Sequence, residues 1–171
     1  MLNKLLVMVC AAATSIFSGV RSGDLAPRAS VLLPVAYLAH LGEEWWGGAG
    51  FSAWTQSTLG AGVSPGRFVL INAIAWPLLT FGIIAALRRR NFAWFAATFA
   101  ALVTLNGLLH LFATAAFSTY SPGVVTGLLL YIPLGGFVLL AMSRSLPPAV
   151  FGGAILAGAA LHALVAVAAF A

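Results

Sequence analysis

The sequence predicts an all-α, polytopic transmembrane helix bundle, with five core helices preceded by a hydrophobic N-terminal segment. Three observations predict it. The 171-residue chain is 62 per cent hydrophobic and 6 per cent charged, whereas a soluble domain carries about 25 per cent charged residues. Its apolar runs are roughly 20 residues long, the length a helix needs to cross a bilayer core. They are apolar all round, where a barrel strand would alternate apolar and polar residues over about ten positions. A mean hydropathy of +1.06 makes lipid the solvent for most of this surface.

Residues 1–20, with Lys4 ahead of an apolar stretch, read as a first span or a signal-like segment. Residues 21–28 form a polar linker broken by Pro27, and residues 29–171 form one transmembrane domain. Ala29 to Trp46 is the first core helix, with Pro34 expected to kink it, and Gly47-Gly48-Ala49-Gly50 ends it. Phe51 to Gly62 is mixed in polarity and reads as a loop or a short helix at the membrane surface. Ser64-Pro65-Gly66 starts the second helix, serine as N-cap and proline at the first helical position. That helix runs to Leu87, with Asn72 and Trp76-Pro77 inside it serving packing. The third runs from Asn91 or Phe92 to about Phe117. Ser121-Pro122-Gly123 repeats the start signal for the fourth, which holds Pro133 and ends near Met142. The last helix, Ala149 to Phe170, is rich in small residues.

Charge sets the topology. The net charge is +5, but the basic residues sit at the ends of apolar runs, as the positive-inside rule expects, and so do not form a nucleic-acid surface. Placing Arg88, Arg89 and Arg90 in the cytoplasm brings Arg21, Arg28 and Arg144 with them and leaves only Lys4 and Arg67 outside. His40, His110 and His162 then stand about 18, 30 and 27 Å along their helices from the cytoplasmic arginines, at 1.5 Å per residue. All three histidines are expected in one layer, in the outer half of the bilayer, level with the glutamates.

The chemistry concentrates in His40-Leu41-Gly42-Glu43-Glu44. Glu43 and Glu44 are the only glutamates in the chain, and spacings of three and four residues put them on the helical face of His40. Tyr37, one turn earlier, extends that stripe. Imidazole nitrogen beside a carboxylate suits a divalent metal, and a second carboxylate suits either orienting the histidine or acting as a general base on metal-bound water. The alternative is that both glutamates cap the helix beside Trp45-Trp46. Asn106 and His110 share a face of the third helix, either as functional groups or as interhelical hydrogen bonds. His162 is expected as a third imidazole. Tyr120 could hold its hydroxyl over the site, whereas Ser121 and Pro122 read as helix caps. The expected metal ligands are therefore His40, Glu44, His110 and His162, with zinc or iron as cofactor and Glu43 or Glu44 as catalytic base. The lone Cys10 excludes a disulfide and a cysteine-built metal centre. The sole aspartate, Asp24, leaves a Ser-His-Asp triad without a source.

On His40-Leu41-Gly42-Glu43-Glu44, Asn106 to His110 and Tyr120-Ser121-Pro122-Gly123, the chain resembles the HXXEE-domain family of small multi-spanning bacterial membrane proteins, from about Val35 onward. The resemblance implies a multi-pass domain of the bacterial inner membrane with a metal-dependent site. Two functions stay open at this point. One is a metal-dependent hydrolase acting on a lipid or other small apolar substrate. The other is a non-enzymatic membrane protein: a transporter, a proton or ion relay, or a subunit of a larger complex.

Overall fold

The computed structural model describes residues 28–171, so the N-terminal segment and the linker up to residue 27 lie outside the described residues. Six helices and no strand occur among the described residues. They are α1 (Leu32–Trp46), α2 (Phe51–Leu59), α3 (Pro65–Arg88), α4 (Ala93–Phe117), α5 (Val124–Ser143) and α6 (Pro148–Phe170). A 3-10 turn, Arg90–Phe92, leads into α4. Four helices, α3 to α6, are long and apolar enough to cross a membrane, α4 with its 3-10 turn included. The fold is that of a membrane protein, as the composition requires.

The apolar run that contains α1 is interrupted at Ser30 and Val31, after helical Arg28 and Ala29. Proline has no N–H to donate four residues back, so Pro34 cannot bond Ser30. The Leu33 N–H takes the Ser30 carbonyl instead, at 3.0 Å, in a tighter turn. The helix proper begins at Leu32, and Pro34 sits harmlessly in its first turn. The expected kinked helix from Ala29 is thus a broken one: Arg28 and Ala29 are helical, Ser30 and Val31 form a turn, and 15 helical residues follow, about 22 Å of rise. The indole of Trp76 donates to the Pro34 carbonyl at 3.0 Å and ties α1 to α3.

The mixed stretch after α1 is a nine-residue helix, α2, set between Gly50 (φ +82°) and Gly60 (φ +71°). Helix α3 starts as its sequence predicts, with Ser64 Oγ accepting the Arg67 N–H at 3.3 Å and Pro65 at the first position. Helix α5 accommodates Pro133 differently. Its residues Gly127–Tyr131 form a π turn before the α-helix resumes at Ile132. A proline ring crowds the carbonyl four residues back and cannot bond it, and a widened turn relieves both problems.

Helix α4 is the hub. Half of its most apolar stretch is buried, against 11 to 22 per cent in the other three spans. Ala96, Ala97, Phe99, Ala100 and Val103 are fully covered there. Small residues make this possible, because association in lipid depends on close backbone approach. A Cβ on Gly158 of α6 would lie 2.5 Å from the Thr98 carbonyl oxygen, and one on Gly107 of α4 only 3.0 Å from the Gly127 carbonyl oxygen of α5. The outward faces carry Val35, Leu78, Phe81, Leu156, Leu164 and Val167, exposed and apolar.

Overpacking at such a contact costs about 1–3 kcal/mol. Gly158→Val should therefore lower the unfolding midpoint of detergent-solubilised protein by several degrees. Gly136→Ala, at a glycine with open space around it, should leave that midpoint in place. Thermal unfolding followed by intrinsic fluorescence reads both.

Candidate metal centre

Helix directions bring four ends together. The C-terminal ends of α1 and α4 meet the N-terminal ends of α3 and α5, and α6 arrives beside them, where Arg67 Nη1 donates to the Ala169 carbonyl at 3.4 Å. Helix α1 contributes His40 and Glu44, one turn apart, and α4 contributes His110. All three are buried. One ligand atom from each lies within 4.8 Å of the others. Glu44 Oε1 stands 3.6 Å from His40 Nε2 and 3.3 Å from His110 Nε2. The imidazole rings meet edge to face, with centroids 5.0 Å apart.

These spacings fit a metal. Two ligands bound at 2.0–2.1 Å with a tetrahedral angle between them stand about 3.4 Å apart. His40 Nε2 is buried and has no hydrogen-bond partner. A buried polar atom is normally paired, and this one is aimed at a carboxylate beyond hydrogen-bonding distance.

The other ring nitrogens are held by hydroxyls, and for His40 this fixes the tautomer. His40 Nδ1 lies 2.8 Å from Thr126 Oγ1. The Thr126 hydroxyl donates to Glu43 Oε2, which as a carboxylate oxygen can only accept. Threonine has one proton to give, so its oxygen accepts the Nδ1–H of His40. Nε2 is thereby left as a bare lone pair facing Glu44. His110 Nδ1 lies 3.0 Å from Ser121 Oγ, a buried hydroxyl, and its Nε2 likewise faces Glu44. Holding the remote nitrogen of each imidazole in this way is how metal-binding histidines are oriented.

The two glutamates have different positions and partners. Glu44 points into the cluster. Glu43 points at the start of α5, where Oε1 accepts the Val125 N–H at 2.9 Å and the Tyr120 hydroxyl at 2.7 Å. Its Oε2 accepts the Thr126 N–H at 2.6 Å. Both oxygens are committed, so the expected alternative of Glu43 as a free base has no support in the geometry. The capping expectation holds in altered form: Glu43 caps α5, not its own helix. Burial and the neighbouring Glu43 carboxylate push the Tyr120 phenol up to about 12. It therefore stays protonated, and donating, throughout the physiological range.

This cap separates the two Ser-Pro-Gly starts. Ser64 caps α3 through its own hydroxyl. Ser121 turns its hydroxyl to His110 and leaves the α5 terminus to Glu43. The sequence reading of Ser121 as a plain cap is corrected, and Thr126 was not anticipated at all. Gly123 follows suit, at φ +107°. A Cβ there would stand 2.8 Å from Cε1 of both His40 and His110. Tyr131, from the π turn, stacks on His40 with ring centroids 4.2 Å apart. Tyr37 lies one turn below His40 and donates to Asn72 Oδ1 at 2.7 Å.

His162 stands apart from the trio. Its Nε2 lies 3.3 Å from Asn106 Nδ2, and Asn106 is one helical turn before His110. The expected four ligands thus resolve into three that converge, with His162 facing the same space from α6. That space is a cavity of about 410 Å³, bounded by α1, α2, α3, α4 and α6 and lined by His40, Glu44, His110, Asn106 and His162 among mostly apolar walls.

Two substitutions test the arrangement. Gly123→Ala forces a methyl between the imidazoles and should abolish metal retention, read by metal analysis of purified protein. Thr126→Val removes the hydroxyl that orients His40 and should weaken metal affinity about 10–100-fold, read by competition with a chelating dye.

A family model described as "Protein of unknown function with HXXEE motif" matches residues 31–138. No curated protein and no solved structure gives a match. The matched residues are more than half of the chain and run from the turn before α1 to the middle of α5. They include every residue of the converging trio and of its hydroxyl partners, and the chain belongs to this HXXEE-motif family.

Proposed function

We propose that this membrane protein holds one divalent cation, zinc or iron, on His40, Glu44 and His110, and uses it to hydrolyse a lipid or another small apolar substrate. The charge distribution of the sequence supports a site in the outer half of the bilayer. The observation that carries the reading is the pairing of the two imidazoles. Each has its Nδ1 held by a hydroxyl, half-buried Thr126 for His40 and buried Ser121 for His110, and its Nε2 turned to a single Glu44 oxygen, 3.6 and 3.3 Å away.

Three protein ligands suit catalysis, because a tetrahedral ion keeps one position for water or substrate. What zinc or iron supplies when bound is Lewis acidity toward a carbonyl oxygen, together with acidification of water, to a pKa of about 7 for zinc. The residues supply the rest. Glu44 brings charge compensation. Glu43, through Thr126, keeps His40 in the ligating tautomer. Tyr131 covers one face of His40. With Glu43 committed and Glu44 a ligand, His162 is the remaining imidazole on the cavity wall, placed to move a proton between substrate and water.

A specific spacing favours the second reading. Glu44 and His110, 3.3 Å apart and buried, would also serve as a proton relay in a non-enzymatic transporter or complex subunit. Metal analysis of detergent-purified wild type separates the two. The expected outcome is about one zinc or iron per chain, since three ligands make one site, with His40→Ala and Glu44→Ala empty and His162→Ala still loaded. Wild type without stoichiometric metal, or full retention in His40→Ala, sinks the metal reading and leaves the relay.

A further inference from the structure

We infer that the cavity is a lipid slot entered sideways from the bilayer, between the site-end halves of α4 and α6, and that its occupant is one acyl chain of a membrane phospholipid. The chemistry done on that lipid rests on the metal reading above; its binding does not.

The mouth is identified by exposure. Six lining residues are exposed: Leu59, Leu109, Phe112, Phe117, Val165 and Phe170. Every one is apolar. All the polar lining side chains are buried or half-buried. An opening rimmed only by apolar side chains, five of the six on helices long enough to span a membrane, meets hydrocarbon and not water. Three of the six lie on α4, Val165 and Phe170 on α6, and Leu59 at the end of α2: the rim follows α4 and α6.

The shape follows from two contacts. At one end α6 lies hard against α4, through Gly158 on Thr98 and Ala101. Asn106 and His162 make the next polar contact, at 3.3 Å. Beyond it, Leu109, Phe112 and Phe117 on one helix and Val165 and Phe170 on the other line open space. Along α4 the lining runs from Leu102 to Phe117, about 22 Å at 1.5 Å per residue. A chain in one leaflet spans about half of a 30 Å hydrocarbon core, or about 15 Å. One acyl chain fits that length, and a cavity of about 410 Å³ is of the size that encloses a ligand.

The occupant also needs a polar part. The Trp54 indole N–H is buried in the wall without a partner, and so is one atom of the Asn106 amide, whose other atom meets His162. Buried polar groups are paired in nearly all proteins, so a bare hydrocarbon is a poor match. Phe51 links Trp54 to His110, with centroids 6.2 and 5.8 Å apart, while Asn106 lies one turn to the other side of His110. An ester held between Trp54 and Asn106 would rest against the cluster, and its chain would run toward Leu79 and Leu102.

The test uses the full chain in phosphatidylcholine vesicles doped with a phosphatidylglycerol bearing a diazirine midway along one acyl chain. After photolysis, labels are mapped by peptide mass spectrometry and metal is measured on the same sample. Labels should concentrate on residues 102–117 and 162–170 over outward positions such as Leu78 and Phe81. Val165→Trp, at the exposed rim, should cut that labelling about tenfold, the size of an overpacking cost, and Ala166→Trp on the wall should act alike. Thr126→Val, at a residue outside the lining, should keep the labelling while weakening metal binding. Even labelling of all lipid-facing helices, or selective labelling unchanged in Val165→Trp, overturns the slot. Selective labelling of a protein that holds no metal would overturn the metal reading alone.

Discussion

The carboxylate of Glu43 is the interaction on which the rest depends. It leaves α1, reaches the first turn of α5 and accepts two backbone N–H groups there, along with the hydroxyls of Thr126 and Tyr120. The first N–H groups of a helix have no partner within it, and the positive end of the helix dipole favours an anion. In a membrane, neither need is met by water. Hydrogen bonds to a charged group contribute about 1.5–3 kcal/mol each, so the start of α5 and the end of α1 are held as one unit. That unit carries Thr126, and Thr126 decides which nitrogen of His40 is free. A structural cap thus becomes a chemical control.

The cap would accomplish nothing without close helix approach. Gly107 and Gly127 let α4 and α5 touch backbone to backbone, which brings His110, one turn beyond Gly107, level with Glu44. Gly123 admits both imidazoles to the space a side chain would take. The π turn that accommodates Pro133 places Tyr131 flat on His40. Each device removes bulk or adds a turn where a regular helix would keep the ligands apart. The same economy works in reverse on α6. Gly158 pins one half of that helix to α4, and beyond His162 the pair opens into the cavity. A site buried among mostly apolar walls strengthens every electrostatic contact within it.

The sequence and structure part company in instructive places. Ser64-Pro65-Gly66 and Ser121-Pro122-Gly123 are the same tripeptide, and only the first behaves as local rules require. A local rule supplies the cap from the nearest side chain, and at α5 a carboxylate from another helix outcompetes a neutral hydroxyl. That frees Ser121 for His110. Thr126 carries no local signal, since a threonine in an apolar helix ordinarily bonds its own backbone, as Thr80 and Thr98 do here. His162 was grouped with the other histidines by distance along its helix, which measures depth but not lateral position.

What the sequence determined by itself follows from solvent. A chain with so little charge must lie in lipid, its apolar runs must be helices because the backbone has no other partner there, and its few polar groups must carry what chemistry there is. His40, Glu44 and His110 were legible for that reason, as were the helix ends marked by proline, glycine and arginine. Tertiary structure alone decided the division between Glu43 and Glu44, the separation of His162, the hydroxyls behind the imidazoles and the opening between α4 and α6. Those features depend on which helix ends meet and how closely. Backbone approach at a few glycines sets that, and no periodicity along one helix records the position of another.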